Sequence, residues 1–106
     1  MIVSVLTRNT RIKEREVWEA ALSTIIPRIH EILEGEAGFV SVEYLWGVDE
    51  AGCIAQMTKW VDEGSCTDYI RNGAAATVAT IEEAVVPTAP YPNGSWVRAN
   101  FAAVES

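Results

Sequence analysis

Trp60 and Gln56 are the side chains of this sequence that could most directly act on a bound molecule. They stand four residues apart in an alternating segment, so a β-strand there would place both on one face, together with Thr58 and Ile54. An indole ring can form a wall against a planar ligand, while an amide can donate a hydrogen bond that polarises a carbonyl or stabilises a developing oxyanion. Trp60 could also pack the core where a strand meets a helix.

Three further polar side chains could take part in binding. Tyr69 could donate a hydrogen bond or a proton to a bound phenol; the alternative is a half-buried tyrosine with its hydroxyl group in solvent. Arg98 and Asn100 share one face of a later alternating segment with Trp96. A cation and an amide beside an aromatic ring could anchor a carboxylate or an enolate. Both could equally lie at a subunit interface and hydrogen-bond to the partner.

The remaining titratable groups do not indicate a metal site. His30 is the single histidine and falls beside the apolar stripe of its helix, as a boundary or surface residue would. Cys53 and Cys66 form no CxxC motif, so we expect free thiols and no metal. Glu82 and Glu83 are interpreted as a solvated helix face. No motif for a nucleotide cofactor or an elbow-type hydrolase is present.

Composition bounds the class of protein. The chain has 106 residues, of which 49% are apolar and 22% charged, and a net charge of −7. These values predict one globular domain over residues 1–106. The acidic balance and the lack of a basic stripe argue against nucleic acid or an anionic membrane surface as a partner. No apolar run approaches the roughly 18 residues of a membrane span, and Met1–Leu6 is too short for a signal peptide, so a cytoplasmic location is expected.

The elements that position these residues follow from the hydrophobic period. Stripes at period 3.6 predict helices, and alternating or β-branched runs predict strands. The predicted strands are Ile2–Arg8, Phe39–Val48, Cys53–Val61 and Ser95–Val104, and the predicted helices are Glu14–Glu34, a short helix ending near Asn72, and Ala74–Val86.

Local signals refine the ends of these elements. Thr10 could cap the first helix and Asp62 should cap the short one. Pro27 predicts a kink, or two abutting helices, and Gly35 or Gly38 should end the segment. A loop is predicted over Pro87, Pro90, Pro92 and Asn93-Gly94.

The order β-α-β-β-α-β, with its second helix in two pieces, predicts a ferredoxin-like α+β fold with an antiparallel four-stranded sheet and helices on one face. Apolar side chains alternate on both faces of the strands, whereas a sheet face open to water should be polar. A second copy of the same sheet is the simplest cover for the other face, so a homodimer is predicted.

The sequence resembles the antibiotic-biosynthesis monooxygenase-like family of dimeric α+β barrel proteins over nearly its whole length. The segments that carry this resemblance are Met1-Ile2-Val3-Ser4-Val5, Glu36-Ala37-Gly38-Phe39, Ser41-Val42-Glu43-Tyr44 and Thr58-Lys59-Trp60-Val61-Asp62. The Trp that closes the third strand, followed at once by a helix cap, is the most distinctive of them.

The resemblance implies a pocket for a small organic molecule between sheet and helices. Some relatives oxidise polyketide-like or quinol substrates there with O2 and with neither metal nor flavin, so no cofactor is expected. It also implies that Trp60 lies against the substrate with Gln56 as the amide, and that Tyr69 occupies a polar pocket position. Further substrate contacts are expected from Tyr44, Trp46, Thr7, Arg98 and Asn100.

Two other functions remain open on the same fold: a non-catalytic small-molecule-binding dimer, and an isomerase using Tyr69 or His30 as its proton shuttle. Haem degradation is disfavoured, because relatives that bind haem carry an axial histidine in the long helix and Ala74–Val86 has none.

Overall fold

The computed structural model describes residues 1–88 and 95–104, which form four strands and three helices. The strands are β1 (Ile2–Asn9), β2 (Phe39–Trp46), β3 (Cys53–Trp60) and β4 (Val97–Ala102), and the helices are α1 (Arg15–Glu34), α2 (Glu63–Asn72) and α3 (Ala74–Thr88). All strand pairs are antiparallel and the sheet order is β2-β3-β1-β4. This is the predicted ferredoxin-like α+β fold, with helices α2 and α3 in place of one second helix.

Alternate side chains of the strands form four rows on the side of the sheet that carries the helices, here called the helix-side face. From one end to the other the rows are Phe39, Trp60, Ile2 and Ala102; Val42, Thr58, Ser4 and Asn100; Tyr44, Gln56, Leu6 and Arg98; and Trp46, Ile54 and Arg8. Trp60, Thr58, Gln56 and Ile54 are each at most 2% exposed, so the predicted common face of β3 is confirmed.

A β-bulge changes the alternation at the start of β2. Strict alternation from Phe39 predicts that Phe39 and Val42 lie on opposite faces. The register instead shifts between Phe39 and Ser41, and both Phe39 and Val42 pack against the core. Because the bulge adds one residue to β2, Val42 and the alternate side chains after it lie on the same face as Phe39.

Helix α1 covers the helix-side face with the predicted stripe, and its buried side chains are Trp18, Leu22, Ile25, Ile29 and Leu33. The helix runs uninterrupted through Pro27, so the prediction of two abutting helices is wrong. Gly35 is its C-cap residue.

Thr10 does not cap α1. Its hydroxyl donates to the carbonyl oxygen of Gly52 at 2.8 Å and accepts the N–H of Ile12, while the N-cap residue of α1 is Glu14. Thr10 therefore ties the β1–α1 connection to the β2–β3 turn. Gly52 has φ +91° there, and a Cβ at this position would lie 2.5 Å from the Thr10 carbonyl oxygen, so only glycine fits.

Asp62 caps α2 as predicted, because its carboxylate accepts the N–H of Ser65 at 2.8 Å. Helix α3 extends to Thr88, so Pro87 belongs to its last turn and not to a loop. The rest of the predicted loop, Pro90, Pro92 and Asn93-Gly94, lies outside the described residues.

The opposite side of the sheet, here called the helix-free face, has no cover within the described chain. Most of its side chains on β1 and β4 are apolar: Val3, Val5, Val97, Ala99 and Phe101. Met57 lies among them on β3, between Val5 and Glu43, and Lys59 and Thr7 are polar members of the same face. Val97 is 61% exposed and Phe101 is 56% exposed. Among the helices described, none is long and apolar enough to cross a bilayer.

Candidate functional site

Three aromatic rings pack together at one end of the helix-side face. Trp60 is fully buried. Its ring stacks on that of Tyr69, with centroids 4.6 Å apart and planes inclined by 23°. Phe39 meets the Trp60 ring edge-on at 5.7 Å. The indole N–H of Trp60 donates to the Thr58 hydroxyl at 2.9 Å, so the polar edge of the tryptophan is satisfied inside the core.

Tyr69 is also fully buried, so the alternative of a half-buried tyrosine with its hydroxyl group in solvent is wrong. Its hydroxyl oxygen lies 2.5 Å from the Thr77 hydroxyl oxygen. Thr77 uses its own hydrogen to donate to the Ala74 carbonyl oxygen at 2.9 Å. Because a hydroxyl carries one hydrogen, Tyr69 is the donor to Thr77.

Arg98 lies beside the aromatic stack. Its guanidinium carbon is 5.7 Å from the Tyr69 ring centroid, and its Nη1 donates to the buried Ser4 hydroxyl at 2.8 Å. Burial raises the pKa of Tyr69, and the bond to Thr77 and the charge of Arg98 offset only part of that rise. Tyr69 is therefore a neutral donor at physiological pH and not a base.

This pKa direction predicts an alkaline loss of stability. A phenol whose pKa is higher in the folded than in the unfolded chain stabilises the fold fully below the unfolded value, and this contribution disappears as pH rises through the folded value. The free energy of unfolding of the wild type should therefore fall above about pH 10. In Tyr69→Phe it should be about 1 kcal/mol lower at pH 8 through the lost hydrogen bond, but should decline less steeply.

Urea unfolding curves at several pH values from 8 to 11, roughly spanning the tyrosine range, measure both slopes. Burial also raises the pKa of Tyr44, so Tyr44→Phe serves as a second variant with the same expected direction. Equal slopes in the wild type and both variants would contradict the assignment.

Gln56 lies in the middle of the helix-side face and is 2% exposed. Its Nε2 is 3.4 Å from the Tyr44 hydroxyl oxygen, at the long limit of a hydrogen bond. Its Oε1 is buried without a partner among the described residues. A buried amide with so few partners is costly unless something else binds it.

A narrow crevice lies over this amide, between sheet and helices. The space between its walls is nowhere wide enough for a water molecule. The sheet side of the crevice is lined by the strand residues Tyr44, Ile54 and Gln56. Trp18, Ile81 and Trp96 cover them from the other side. Trp18 is 2% exposed, and its indole N–H has no partner among the described residues.

A charged cluster lies at the Trp96 end of the crevice. Nη1 of Arg8 donates to Oε1 of Glu82 at 2.9 Å, and the indole N–H of Trp96 donates to the same oxygen at 2.9 Å. The guanidinium carbon of Arg8 lies 5.2 Å from the Trp96 ring centroid. Glu82 is therefore only partly solvated, with 44% of its side chain exposed, whereas Glu83 forms an exposed pair with Arg28. The interpretation as a solvated helix face holds for Glu83 and only in part for Glu82.

The structure brings only some of the predicted site residues together. Gln56 and Tyr44 share the crevice, while Trp60, Tyr69 and Arg98 form the neighbouring stack. Trp46 lies on the same face beside Ile54.

Two predicted residues lie apart from both groups. Thr7 pairs with Ala55 and Val97 on the helix-free face. Asn100 is exposed in a surface groove of about 210 Å³ with Cys66 and Glu63.

Sequence reasoning did not identify Arg8, Trp18 or Glu82 as site residues. The position of Trp18 could have indicated a site, because an indole N–H group within an aliphatic stripe needs a hydrogen-bond partner. His30 is half-buried on α1. Within residues 1–88 and 95–104, no cluster of histidine, cysteine, aspartate and glutamate could hold a metal ion.

Comparison with known proteins identifies this fold. No family model and no curated protein matches the sequence. An antibiotic biosynthesis monooxygenase superposes over 99% of this chain and 100% of its own, with a TM-score of 0.60 and 10% identity. A Streptomyces coelicolor monooxygenase in complex with nanaomycin D gives a TM-score of 0.67 and 17% identity over 99% of this chain and 88% of its own. SnoaB, a cofactor-independent oxygenase from Streptomyces nogalater, gives 0.60 and 14% over 99% and 95%.

The chain is therefore an α+β protein with the ferredoxin-like fold of the antibiotic biosynthesis monooxygenase structures, which confirms the resemblance in its fold. At these identities the comparison defines the architecture, and the chemistry has to be argued from this chain's own residues.

Proposed function

We propose that this protein is a cofactor-independent, monooxygenase-like enzyme that acts on a small aromatic or quinol-type molecule, which binds beside Gln56 by parting the walls of the crevice between sheet and helices. The observation that carries the proposal is the buried Gln56 amide, on the wall of an aromatic-lined crevice. Its N–H group makes only a long contact with Tyr44, and its carbonyl oxygen has no partner within the described chain. The fold supports it, since the structural neighbours include a cofactor-independent oxygenase and a monooxygenase bound to nanaomycin D.

In the proposed reaction the substrate supplies the electrons. An electron-rich phenol loses its hydroxyl proton, and its anion reduces O2 and forms a carbon–oxygen bond at the ring carbon opposite. Loss of water then leaves a carbonyl at that carbon, so one oxygen atom enters the product and the other leaves as water. This balance, phenol plus O2 to quinone plus water, needs no external reductant.

The protein's part is to bind, orient and desolvate. The amide of Gln56 donates to the ionised substrate oxygen in place of its long contact with Tyr44, which stabilises the anion. The crevice excludes water, which strengthens that hydrogen bond. Arg98 stands in the same row of the sheet as Gln56, and Tyr69 lies beside Arg98. The Trp60–Tyr69 stack therefore forms the end of the proposed pocket.

The test is aerobic turnover of a panel of electron-rich phenols and hydroquinones under labelled O2. Wild-type protein should incorporate one labelled oxygen into the product. Gln56→Met, which has a similar volume and no hydrogen-bonding group, should lower kcat/KM by about 100-fold. Tyr44→Phe keeps the ring and is expected to retain most of the activity, since Tyr44 contributes only the long contact.

Each adverse result has a definite meaning. Activity no higher in the wild type than in Gln56→Met would remove the proposed role of the amide. Tight binding of panel members that emerge unchanged would favour a non-catalytic binding protein, and quinone formation without label would indicate an oxidase.

The proposed enzyme is a cytoplasmic homodimer. A second copy packed on the helix-free face would remove Val97 and Phe101 from water, and self-complementary contact of this kind is the rule in twofold dimers. Cys53 and Cys66 are both free thiols, in keeping with a reducing compartment.

A further inference from the structure

Trp96 is the least firmly held of the three side chains that cover the sheet side of the crevice. The other two, Trp18 and Ile81, are at most 2% exposed and belong to helices α1 and α3. Trp96 is half-buried and stands just before β4, outside any helix or strand. Local opening begins where few buried contacts and no regular secondary structure hold the chain. A molecule that parts the walls of the crevice therefore displaces Trp96 first.

One polar cluster holds the Trp96 ring in place. Its indole N–H donates to Oε1 of Glu82 at 2.9 Å, and the guanidinium carbon of Arg8 lies 5.2 Å from its ring centroid. Nη1 of Arg8 donates to the same carboxylate oxygen at 2.9 Å, so the buried guanidinium keeps its counter-ion when the indole leaves. Displacement therefore gives up one hydrogen bond, which water replaces on the released indole, and one cation–π contact.

The closed crevice also leaves polar atoms unsatisfied. Nε1 of Trp18 and Oε1 of Gln56 are buried without a partner among the described residues, and both residues line the crevice. Buried polar atoms almost always have partners in folded proteins. The closed arrangement therefore carries a cost that an entering polar molecule removes.

The surroundings of the indole define the molecule that could replace it. They offer a carboxylate oxygen that accepts a hydrogen bond from the ring edge and a guanidinium against the ring face. We propose that Trp96 occupies the place of the substrate ring: a flat aromatic molecule displaces the indole, packs against Arg8 and donates a hydrogen bond from a hydroxyl group to Glu82.

A second oxygen on the same ring is the one that the Gln56 amide stabilises as an anion. The ligand class is therefore a dihydroxylated aromatic ring, such as a hydroquinone, no larger than the indole that it replaces. This inference rests on the proposed function and identifies Glu82 and Arg8 as the residues that recognise its substrate.

Hydroquinone and its dimethyl ether, 1,4-dimethoxybenzene, test the assignment, because they share a ring and differ in their hydroxyl groups. Binding to the full chain is followed under argon, which prevents oxidation, by titration of the indole N–H signals in ¹H–¹⁵N NMR spectra. Trp96→Phe assigns the Trp96 signal. In the wild type, hydroquinone should shift this signal as the N–H leaves Glu82, and should bind at least about tenfold more tightly than the ether.

Trp96→Ala distinguishes a displaced side chain from a wall of the pocket. If the indole competes with the ligand, its removal should raise the affinity for hydroquinone about tenfold or more, because nothing has to be displaced. If the indole were a wall that contacts the ligand, the affinity would fall. Trp46→Ala removes another half-buried tryptophan of the same sheet face, which does not line the crevice, and should leave the affinity unchanged.

Glu82→Gln tests the recognition of the hydroxyl group. A neutral acceptor forms a hydrogen bond roughly half as strong as a carboxylate does, so the preference for hydroquinone over its ether should fall about threefold. Glu83→Gln removes the same charge from the exposed pair with Arg28 and should leave the preference unchanged.

Each result decides for or against the assignment. Hydroquinone binding that leaves the Trp96 signal unchanged, or that weakens in Trp96→Ala, would overturn the place given to Trp96 and leave the proposed function standing. An unchanged preference in Glu82→Gln would overturn the recognition by Glu82. Absence of binding in both the wild type and Trp96→Ala would overturn this inference and the proposed function together. If Trp96→Ala does not fold, the Trp96 signal of the wild type still decides.

Discussion

Replacement of Trp60 by alanine is expected to lower the free energy of unfolding by about 3–5 kcal/mol, the usual cost of deleting a large buried aromatic side chain. The side chain is fully buried and contacts two rings, Tyr69 and Phe39. The same change leaves the Thr58 hydroxyl without its indole donor. Urea unfolding at fixed protein concentration measures the loss as a shift of the midpoint at constant slope.

Trp60→Phe separates the contributions to this loss. It keeps an aromatic ring against Tyr69 and removes the indole N–H, so its cost should be smaller, about 1–2 kcal/mol. Trp46→Ala is the matched control, because Trp46 lies on the same face but is only half-buried. A loss in Trp60→Ala no larger than in Trp46→Ala would contradict the central packing role of Trp60.

Replacement of Met57 by glutamate is expected to convert the proposed dimer into a monomer. Met57 pairs with Val5 in the middle of the helix-free face. A twofold contact there would bury a carboxylate from each copy in an apolar environment, at a cost of several kcal/mol, or roughly a thousandfold or more in the dissociation constant.

Light scattering during size-exclusion chromatography at micromolar concentration measures the mass of each species. Ser23→Glu adds the same charge on the exposed side of α1 and should remain a dimer. A monomeric wild type in dilute solution would refute the dimer. If Met57→Glu and the wild type elute as the same dimer, the interface lies elsewhere.

The candidate site shows how far sequence reasoning reached. The common face of Trp60, Thr58, Gln56 and Ile54 was predictable, because neighbouring residues of any strand point to opposite faces. The cap at Asp62 was also predictable, since a carboxylate needs only to reach a backbone N–H of the next turn. Both features depend on residues close together in the chain.

The Arg8–Glu82–Trp96 cluster was beyond such reasoning. Arg8 and Glu82 are 74 residues apart and belong to a strand and a helix whose relative placement no local period encodes. Glu82 and Glu83 look alike in sequence, yet one contacts the sheet and the other pairs with Arg28 on the surface. Their difference is set by how α3 lies over β1 and β4.

By itself, therefore, the sequence determined the order of the elements, the ferredoxin-like fold and the faces on which the residues of β1, β3 and β4 lie, because these follow from backbone geometry that repeats every two or every 3.6 residues. Tertiary structure alone decided that Tyr69 is fully buried, that Phe39 rejoins the core through a bulge, and that Trp18 and Gln56, each with an unpartnered polar atom, line one crevice. Those outcomes depend on the distance and angle between packed layers, which the side chains of distant segments set jointly.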